Sequence, residues 1–471
     1  MMIDKLPSKI HHAYWFQAFN AVSWQICLGT PLILFTRELG APAVVLGLLA
    51  GLAPLTSVLQ LLVAPYADRI GYRKLMLRGW TARVVTLVLL AILPLTSGIA
   101  PPVALIAATV AIMLAFTVLR GIAMCAWLPW VTSIVPRSLR GFYLSRDRIF
   151  ISLASVASLA VSGVFLMEHR AMSAYAIVFG LGFLGGAVSL YFLNRIPEPA
   201  DIGGAVKPAA ARQSQWLPLL RNEGFRTLVI FSAVVQVVVL STGAFVTVFA
   251  REEVPLSDGV ILWAAAGASL AGTAALALLR NRIDALGSRP FLGVVFLWWV
   301  VCYALWFLLA ISPARSPAIA VGMMLLAGFF GSIYDLALTR LLMNTVGDQP
   351  EATRYFALHS VIVSVLNGFA PMVWGGALDM ARAMQVSLAG VSLSGYALFF
   401  AAQWVLLAPV LLMLVQVRES SSASTRRLLS DALIGAPRTA ARGLADWRLR
   451  ARRRRDAAAR GAAAPSDRQN Q

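Results

Sequence analysis

The sequence predicts an all-α integral membrane protein with twelve transmembrane helices in two pseudo-symmetric six-helix bundles. Three observations support this prediction: an apolar composition, a series of long uncharged segments, and an internal repeat. Of the 471 residues, 59% are hydrophobic and only 13% are charged, and the mean hydropathy is +0.76. Because soluble domains carry charge on about a quarter of their residues, this composition indicates a membrane protein.

Apolar segments recur along the chain at the length that a membrane-spanning helix needs, roughly 20 residues. They show no alternation of polar and apolar residues, so we predict helices and not barrel strands. The twelve segments lie near residues 13–35, 41–63, 79–97, 102–132, 149–167, 173–194, 226–249, 259–279, 291–312, 318–341, 357–378 and 393–417. The first is too long for the apolar core of a cleavable signal peptide, and no such peptide is expected.

Basic residues are concentrated in alternate loops between these segments. The loop after the second segment carries Arg69, Arg73, Lys74 and Arg78, whereas "TSGIAPP" has no basic residue and "REEVPLSD" is net acidic. This bias predicts that both termini lie in the cytoplasm, and we expect a multi-pass protein of the bacterial inner membrane. The same distribution argues against nucleic acid as a partner, although the net charge is +19.

The chain also contains two similar halves. "DRIGYR" (Asp68 to Arg73) resembles "DALGSR" (Asp284 to Arg289), and "PRSLRGFYLS" resembles "PEATRYFALH" at nearly the same offset. We therefore predict an N-terminal bundle (1–195), a central cytoplasmic loop (196–224), a C-terminal bundle (225–418) and a basic tail (419–471). We expect the tail to be disordered and to lie against anionic lipid headgroups; nucleic acid or a docking partner is the less favoured alternative.

Twelve spans, a six-plus-six repeat and a charged loop between spans 2 and 3 resemble the major facilitator superfamily. The loop signature of that family, roughly G-x-x-x-D-R-x-G-R-[RK], is matched here by Asp68, Arg69, Gly71, Arg73 and Lys74, with departures at Ala64 and Tyr72. The resemblance covers residues 10 to 418 and does not identify a subfamily. It implies a transporter whose two halves rock about a central site, and a conformational latch formed by Asp68, Arg69, Gly71 and Arg73, with a weaker copy at Asp284, Gly287 and Arg289.

Within that latch, we expect Gly71 to permit a tight turn and Asp68 to pair with a neighbouring helix end. Replacing Asp68 by Asn should then slow turnover and leave substrate binding largely intact.

Charged residues inside the spans are costly, about 2.5–3.5 kcal/mol each, and are therefore candidates for function. Arg120 in span 4 and Asp335 in span 10 lie 215 positions apart (335 − 120), at equivalent places in the repeat. The resemblance implies that spans 1, 4, 7 and 10 line a central cavity. The hypothesis is that Arg120 binds an anionic substrate group or forms a switchable ion pair with Asp335; the alternative is local pairing that holds helices together.

Two further expectations concern charge in the spans. Asp335 is the one carboxylate that the sequence places well inside a span, so it is the candidate proton carrier. Arg83 is predicted near the cytoplasmic end of span 3, where its side chain can extend to the interface and serve structure alone.

Polar residues on one face of span 1 are further candidates for the cavity wall, namely Gln17, Asn20 and Trp24. Gln236 of span 7 is their counterpart in the other half, and Asn367 of span 11 is expected to face the same cavity. The alternative for the residues of spans 1 and 7 is hydrogen bonding between helices. Gly47 and Gly51 in span 2 are expected to allow close helix packing.

The sequence contains no metal-binding spacing, no phosphate-binding loop and no nucleophile motif. We therefore expect a monomeric secondary transporter of a small solute, not an enzyme, with no cofactor. The alternative is a protein of the same fold that no longer transports and acts as an assembly factor or sensor, for example in the assembly of pigment complexes.

Overall fold

The computed structural model is built from long apolar helices. It describes residues 9–136, 139–168, 172–197, 217–346, 352–384, 386–388 and 391–417. Among these residues, twelve helical segments are long and apolar enough to span a membrane, from His11–Glu38 to Gly395–Gln416. The prediction of twelve transmembrane helices is confirmed.

The N-terminal half forms spans 1 to 6, and three of these spans are broken into two helices. The helices are α1 (His11–Cys27), α2 (Thr30–Glu38), α3 (Ala43–Ser57), α4 (Leu59–Ile70), α5 (Tyr72–Ile92), α6 (Pro102–Met124), α7 (Trp127–Ile134), α8 (Arg140–Glu168) and α9 (Met172–Asn194). The break in span 1 precedes Pro31, which has no N–H to donate and is favoured at the start of a helix.

The C-terminal half forms spans 7 to 12, and span 7 is broken like span 1. Its helices are α10 (Glu223–Val238), α11 (Gly243–Glu252), α12 (Asp258–Leu286), α13 (Arg289–Ile311), α14 (Pro317–Val346), α15 (Ala352–Ala383), α16 (Gly395–Val405) and α17 (Leu407–Gln416). Between α15 and α16 a short antiparallel pair, β1 (Val386–Leu388) and β2 (Val391–Leu393), was not predicted.

An even number of spans puts the two ends of the described chain, residues 9 and 417, on one side of the bundle, which we call the terminal face. The opposite side, formed by the loops between spans 1 and 2, 3 and 4, and so on, is the distal face. The two halves meet where span 2 packs against span 11 and where span 5 packs against span 8.

Glycines allow the backbones of spans 2 and 11 to approach closely. A Cβ added to Gly47 would lie 2.1 Å from the carbonyl oxygen of Pro371, and one added to Gly51 would lie 2.0 Å from that of Gly368. The prediction that Gly47 and Gly51 permit close packing is confirmed. Because any larger side chain would separate these helices, this contact fixes how the halves meet.

Several helices begin earlier than the apolar segments predict. Helix α5 begins at Tyr72 where the sequence predicts span 3 from 79, and α8 begins at Arg140 where it predicts span 5 from 149. Apolar windows locate only the part of a helix that lies in hydrocarbon, and helices continue past that boundary through charged residues. The consequence is that Asp147 lies within a helix and that Arg83 lies about three turns from the start of one.

Candidate functional site

The guanidinium group of Arg120 forms a cation–π contact with the indole ring of Trp24. Its Cζ atom lies 4.1 Å from the ring centroid, joining span 4 to span 1 within the N-terminal half. Its Nε is buried without a hydrogen-bond partner, and no described residue accepts a hydrogen bond from this side chain. Of its three nitrogens only Nε is fully enclosed, so the terminal nitrogens remain free to meet a ligand.

Arg83 lies deeper, and its position corrects the sequence analysis. Its side chain is 1% exposed, with Cζ 4.4 Å from the ring centroids of both Trp80 and Phe116. It lies eleven residues into α5, about 17 Å along the axis from Tyr72, so it does not reach an interface. The expectation of an arginine near the membrane surface is wrong because the helix begins seven residues earlier than predicted.

A hydrogen bond from Arg83 joins span 3 to span 1. The Nη1 atom of Arg83 donates this 2.9 Å hydrogen bond to Oδ1 of Asn20, while its Nε and Nη2 are buried without partners. Arg83 also lies close enough to Arg120 for their charges to repel. Among the described residues, neither arginine forms an ion pair with a carboxylate.

Asp335 lies elsewhere and is not paired with Arg120. The charge that acts on its carboxylate is that of Arg148, an exposed residue of α8 in the opposite half. The structure therefore brings together Asn20, Trp24 and Arg120 but not Asp335. The switchable pair of Arg120 and Asp335 stays a prediction about another conformation.

A second buried carboxylate was missed by the sequence analysis. Asp147 of α8 is 7% exposed, it lies beside the amide of Gln17, and its Oδ1 has no hydrogen-bond partner. The hydroxyl groups of Tyr14 and Tyr143 are also buried without partners, and their rings stack with centroids 5.1 Å apart. Asp147 lies in the first turn of span 5 (Arg146–Met167), so the expectation that Asp335 is the one carboxylate well inside a span stays a prediction.

The predicted cavity residues of the C-terminal half are placed differently. Gln236 is buried in α10 with 4% exposure, so its side chain does not line an open space in this conformation. Asn367 is half-buried on α15, beside the glycine contact with span 2. Neither is near the two arginines by any contact that the structure describes.

The distal face is closed by charged contacts between the halves. Arg37 pairs with Glu252, and Arg251 pairs with Glu38 and, at 2.9 Å, with Asp258. Next to this network, the hydroxyl of Tyr175 donates to Asp258 at the rim of a cavity of about 330 Å³.

Span 11 adds two contacts to the closed distal face. Arg382 pairs with Glu252 at 2.6 Å, within the C-terminal half. Asp379 reaches across to span 2 and accepts hydrogen bonds from the backbone N–H groups of Ala43 and Val44, both at 2.9 Å. A residue of one half thus caps a helix of the other.

The latch residues are partly described. Gly71 and Gly287 both have positive φ, 88° and 86°, which suits the tight turns between their helices. Arg73 donates to the carbonyl oxygen of Asn194 at 2.9 Å, and Arg289 donates to that of Val415 at 3.3 Å, so each contacts the end of the last helix in its own half. The side chains of Asp68, Arg69 and Asp284 lie outside the described residues.

Comparison with known proteins gives a family match over residues 14–283, more than half of the chain, to the model of the Major Facilitator Superfamily. No curated protein matches the sequence.

Several solved structures share the fold. A D-xylose-proton symporter is 14% identical with a TM-score of 0.66, covering 89% of this chain and 99% of its own. A variant of the nucleoside transporter NupG is 13% identical with a TM-score of 0.65, covering 88% and 100%. A bacterial homologue of the human lysosomal transporter Spinster, inward-facing and occupied, is 14% identical with a TM-score of 0.59, covering 86% and 95%.

Proposed function

The chain belongs to the Major Facilitator Superfamily, and from this premise we propose that it is a secondary transporter that moves a small solute by alternating access. The observation that carries the proposal is the closed distal face. There the halves are joined by ion pairs, Arg37 with Glu252 and Arg251 with Glu38, which can break and re-form without unfolding either half. Polar side chains lie inside the bundle, where a solute would bind.

The finer features of this proposal follow from charge. We place both termini in the cytoplasm of a bacterial cell, in the inner membrane, because of the basic loops on the terminal face. On that orientation, the structure is closed toward the outside. Asp335 remains the proposed proton carrier. A carboxylate within a span costs free energy, and carboxylates in such positions are characteristic of proton and ion pathways.

Two proposals concern partners other than the solute. The protein works as a monomer, and its basic tail binds anionic headgroups; residues 418–471 lie outside the described part of the chain.

Distances across the two faces test alternating access without knowledge of the solute. Spin labels would be placed on a distal pair, Ile99 and Ile319, and on a terminal pair, Leu144 and Met343, all exposed. The three native cysteines would first be replaced by alanine. In lipid nanodiscs we expect two distance populations on each face, with the long distal distance accompanying the short terminal one.

Uptake of radiolabelled solutes into proteoliposomes would then identify the substrate. A single fixed distance on both faces, together with no uptake beyond that of empty liposomes, would contradict the proposal and favour the assembly factor or sensor.

A further inference from the structure

The N-terminal half buries two arginines, Arg83 and Arg120, and neither pairs with the buried carboxylate of Asp147 or with any other described carboxylate. Guanidinium groups stay protonated in proteins, so Arg83 and Arg120 both carry charge. The aromatic rings of Trp80, Phe116 and Trp24 attract these cations but carry no net charge to neutralise them. A buried charge without a counter-charge is strongly unfavourable, and two that repel each other are more so.

Hydrogen bonds between helices do not account for both arginines. Arg83 has one such bond, to Asn20, and could serve packing alone. Arg120 has none to any described residue, and its terminal nitrogens are not enclosed. The charge of Arg120 is therefore available to a group that no described residue supplies.

The two side chains of α1 that contact Arg83 and Arg120, Asn20 and Trp24, can each offer a hydrogen-bond donor. Because a guanidinium only donates hydrogen bonds, the atom of Asn20 that meets Arg83 must be the amide oxygen. The remaining polar group of Asn20 is then its NH₂, a donor. The indole N–H of Trp24 is also a donor only. A ligand at this place therefore meets N–H groups, and it needs acceptors with no hydrogens to give.

We propose that Arg120, Asn20 and Trp24 bind the oxyanion group of a small organic anion, and that Arg83 is a positioning residue that orients Asn20 and adds positive potential from behind. The proposal rests on the proposed transporter function and names its substrate class. A carboxylate or sulfonate offers only acceptors, an ionised phosphate offers mostly acceptors, and each supplies a negative charge; charge-assisted hydrogen bonds to arginine are the strong ones. The interior of the bundle strengthens this attraction because charges are screened less there than in bulk water.

The test uses the full-length chain in lipid nanodiscs and four anions as probes: benzoate, succinate, citrate and inorganic phosphate. Each sodium salt is compared with sodium chloride at the same ionic strength, and benzamide and succinamide serve as neutral counterparts. We expect at least one anion to raise the unfolding temperature with saturation, because a ligand that binds the folded state alone stabilises it. The neutral amides should not. The pattern across the four probes separates carboxylate from phosphate recognition.

Variants assign the effect to residues. Arg120→Gln should abolish the shift, whereas Arg226→Gln, at an exposed arginine of α10, should leave it unchanged. Arg83→Gln should weaken anion binding at least tenfold without lowering the unfolding temperature of the free protein, and Arg83→Lys should restore part of the affinity. A purely structural Arg83 would instead lower the stability of the free protein.

Three results would overturn the proposal: no anion exceeds chloride, the amides stabilise as well as the acids, or the shift persists in Arg120→Gln. Its failure is separable from that of the transporter function. Binding of an anion without uptake into proteoliposomes would keep the site and reject transport. Uptake of a neutral solute that does not depend on Arg120 would keep transport and reject the site.

Discussion

Arg37 of α2 forms an ion pair with Glu252 of α11, and its counterpart Arg251 pairs with Glu38 in the reverse direction. The four residues are two Arg-Glu dipeptides that lie 214 positions apart (251 − 37), so the internal repeat relates one to the other. The two halves are related by a pseudo-two-fold axis, and the ends of spans 1 and 7 meet near it. The arginine of each dipeptide therefore pairs with the glutamate of the other copy, which gives two reciprocal ion pairs. The repeat thus forms its own interface at the distal face.

Charge reversal at this interface should open the distal face. Arg37→Glu places two carboxylates against each other, and adding Glu252→Arg restores the pair in the opposite sense. We expect the single variant to lengthen the distance between labels at Ile99 and Ile319, and the double variant to shorten it again. For partly exposed pairs the coupling between the two changes should be about 1 kcal/mol in unfolding experiments.

A pair within one half supplies the control for that experiment. Arg315 pairs with Glu253, which follows Glu252 directly, but both belong to the C-terminal half. Arg315→Glu should therefore leave the distal distance unchanged. If it lengthens the distance as much as Arg37→Glu does, the effect comes from surface charge in general and not from the reciprocal pairs.

The sequence shows the repeated Arg-Glu dipeptides, but it does not show which arginine pairs with which glutamate. The pattern F-x-R-E occurs at Phe35 and again at Phe249, so each half carries one copy of the Arg-Glu dipeptide. Hydrophobicity predicted the spans correctly because the hydrocarbon layer imposes a length on every helix. Hydrophobicity alone could not predict how far Arg83 lies from the start of its helix or that Asp147 is buried. The helix ends outside the hydrocarbon layer depend on local contacts and not on apolar composition.

Neighbouring glycines offer a matched test of the contact between spans 2 and 11. A Cβ on Gly375 would lie 2.4 Å from the carbonyl oxygen of Ala43, whereas one on Gly376 would meet nothing within 4 Å. Gly375→Ala should therefore destabilise the distally closed state by about 1–3 kcal/mol, the usual effect of overpacking. The fraction of molecules with the short Ile99–Ile319 distance reports it, and Gly376→Ala should retain the wild-type fraction.

Asp379 should matter because α3 has no cap of its own. Its N-cap residue is Pro42, which offers no side-chain acceptor, and the carboxylate of Asp379 takes that role from the other half. Asp379→Ala should cost about 0.5–2 kcal/mol of stability in thermal unfolding.

Pro42→Ser in the Asp379→Ala background would supply a local cap. It should recover the stability of α3 but not the distal closure, since the bond between the halves stays absent. Recovery of both would show that Asp379 acts on helix α3 alone.

Asp147 should tolerate loss of its charge. Asp147→Asn keeps the shape and an acceptor for Gln17 but removes a buried charge whose Oδ1 has no partner. We expect thermal stability equal to the wild type or higher, by about 1 kcal/mol. Asp147→Leu, which leaves the half-buried amide of Gln17 without its acceptor, should be clearly destabilising. A loss in Asp147→Asn as large as in Asp147→Leu would show that the charge itself holds spans 1 and 5 together.

The two latch arginines should stabilise the ends of helices α9 and α17 unequally. The last carbonyl groups of a helix lack partners within it, and a cation there is favourable. Arg73 bonds to both the carbonyl and side-chain oxygens of Asn194, at 2.9 and 3.1 Å, whereas the described bond from Arg289 to Val415 is longer, at 3.3 Å.

Arg73→Ala should therefore speed amide hydrogen exchange in the last turn of α9 more than Arg289→Ala does in the last turn of α17. Arg73→Lys should recover part of the protection, because the ammonium keeps the charge and can still donate hydrogen bonds. Equal effects at both helix ends would mean that charge alone stabilises them, and that the second hydrogen bond at Asn194 adds nothing.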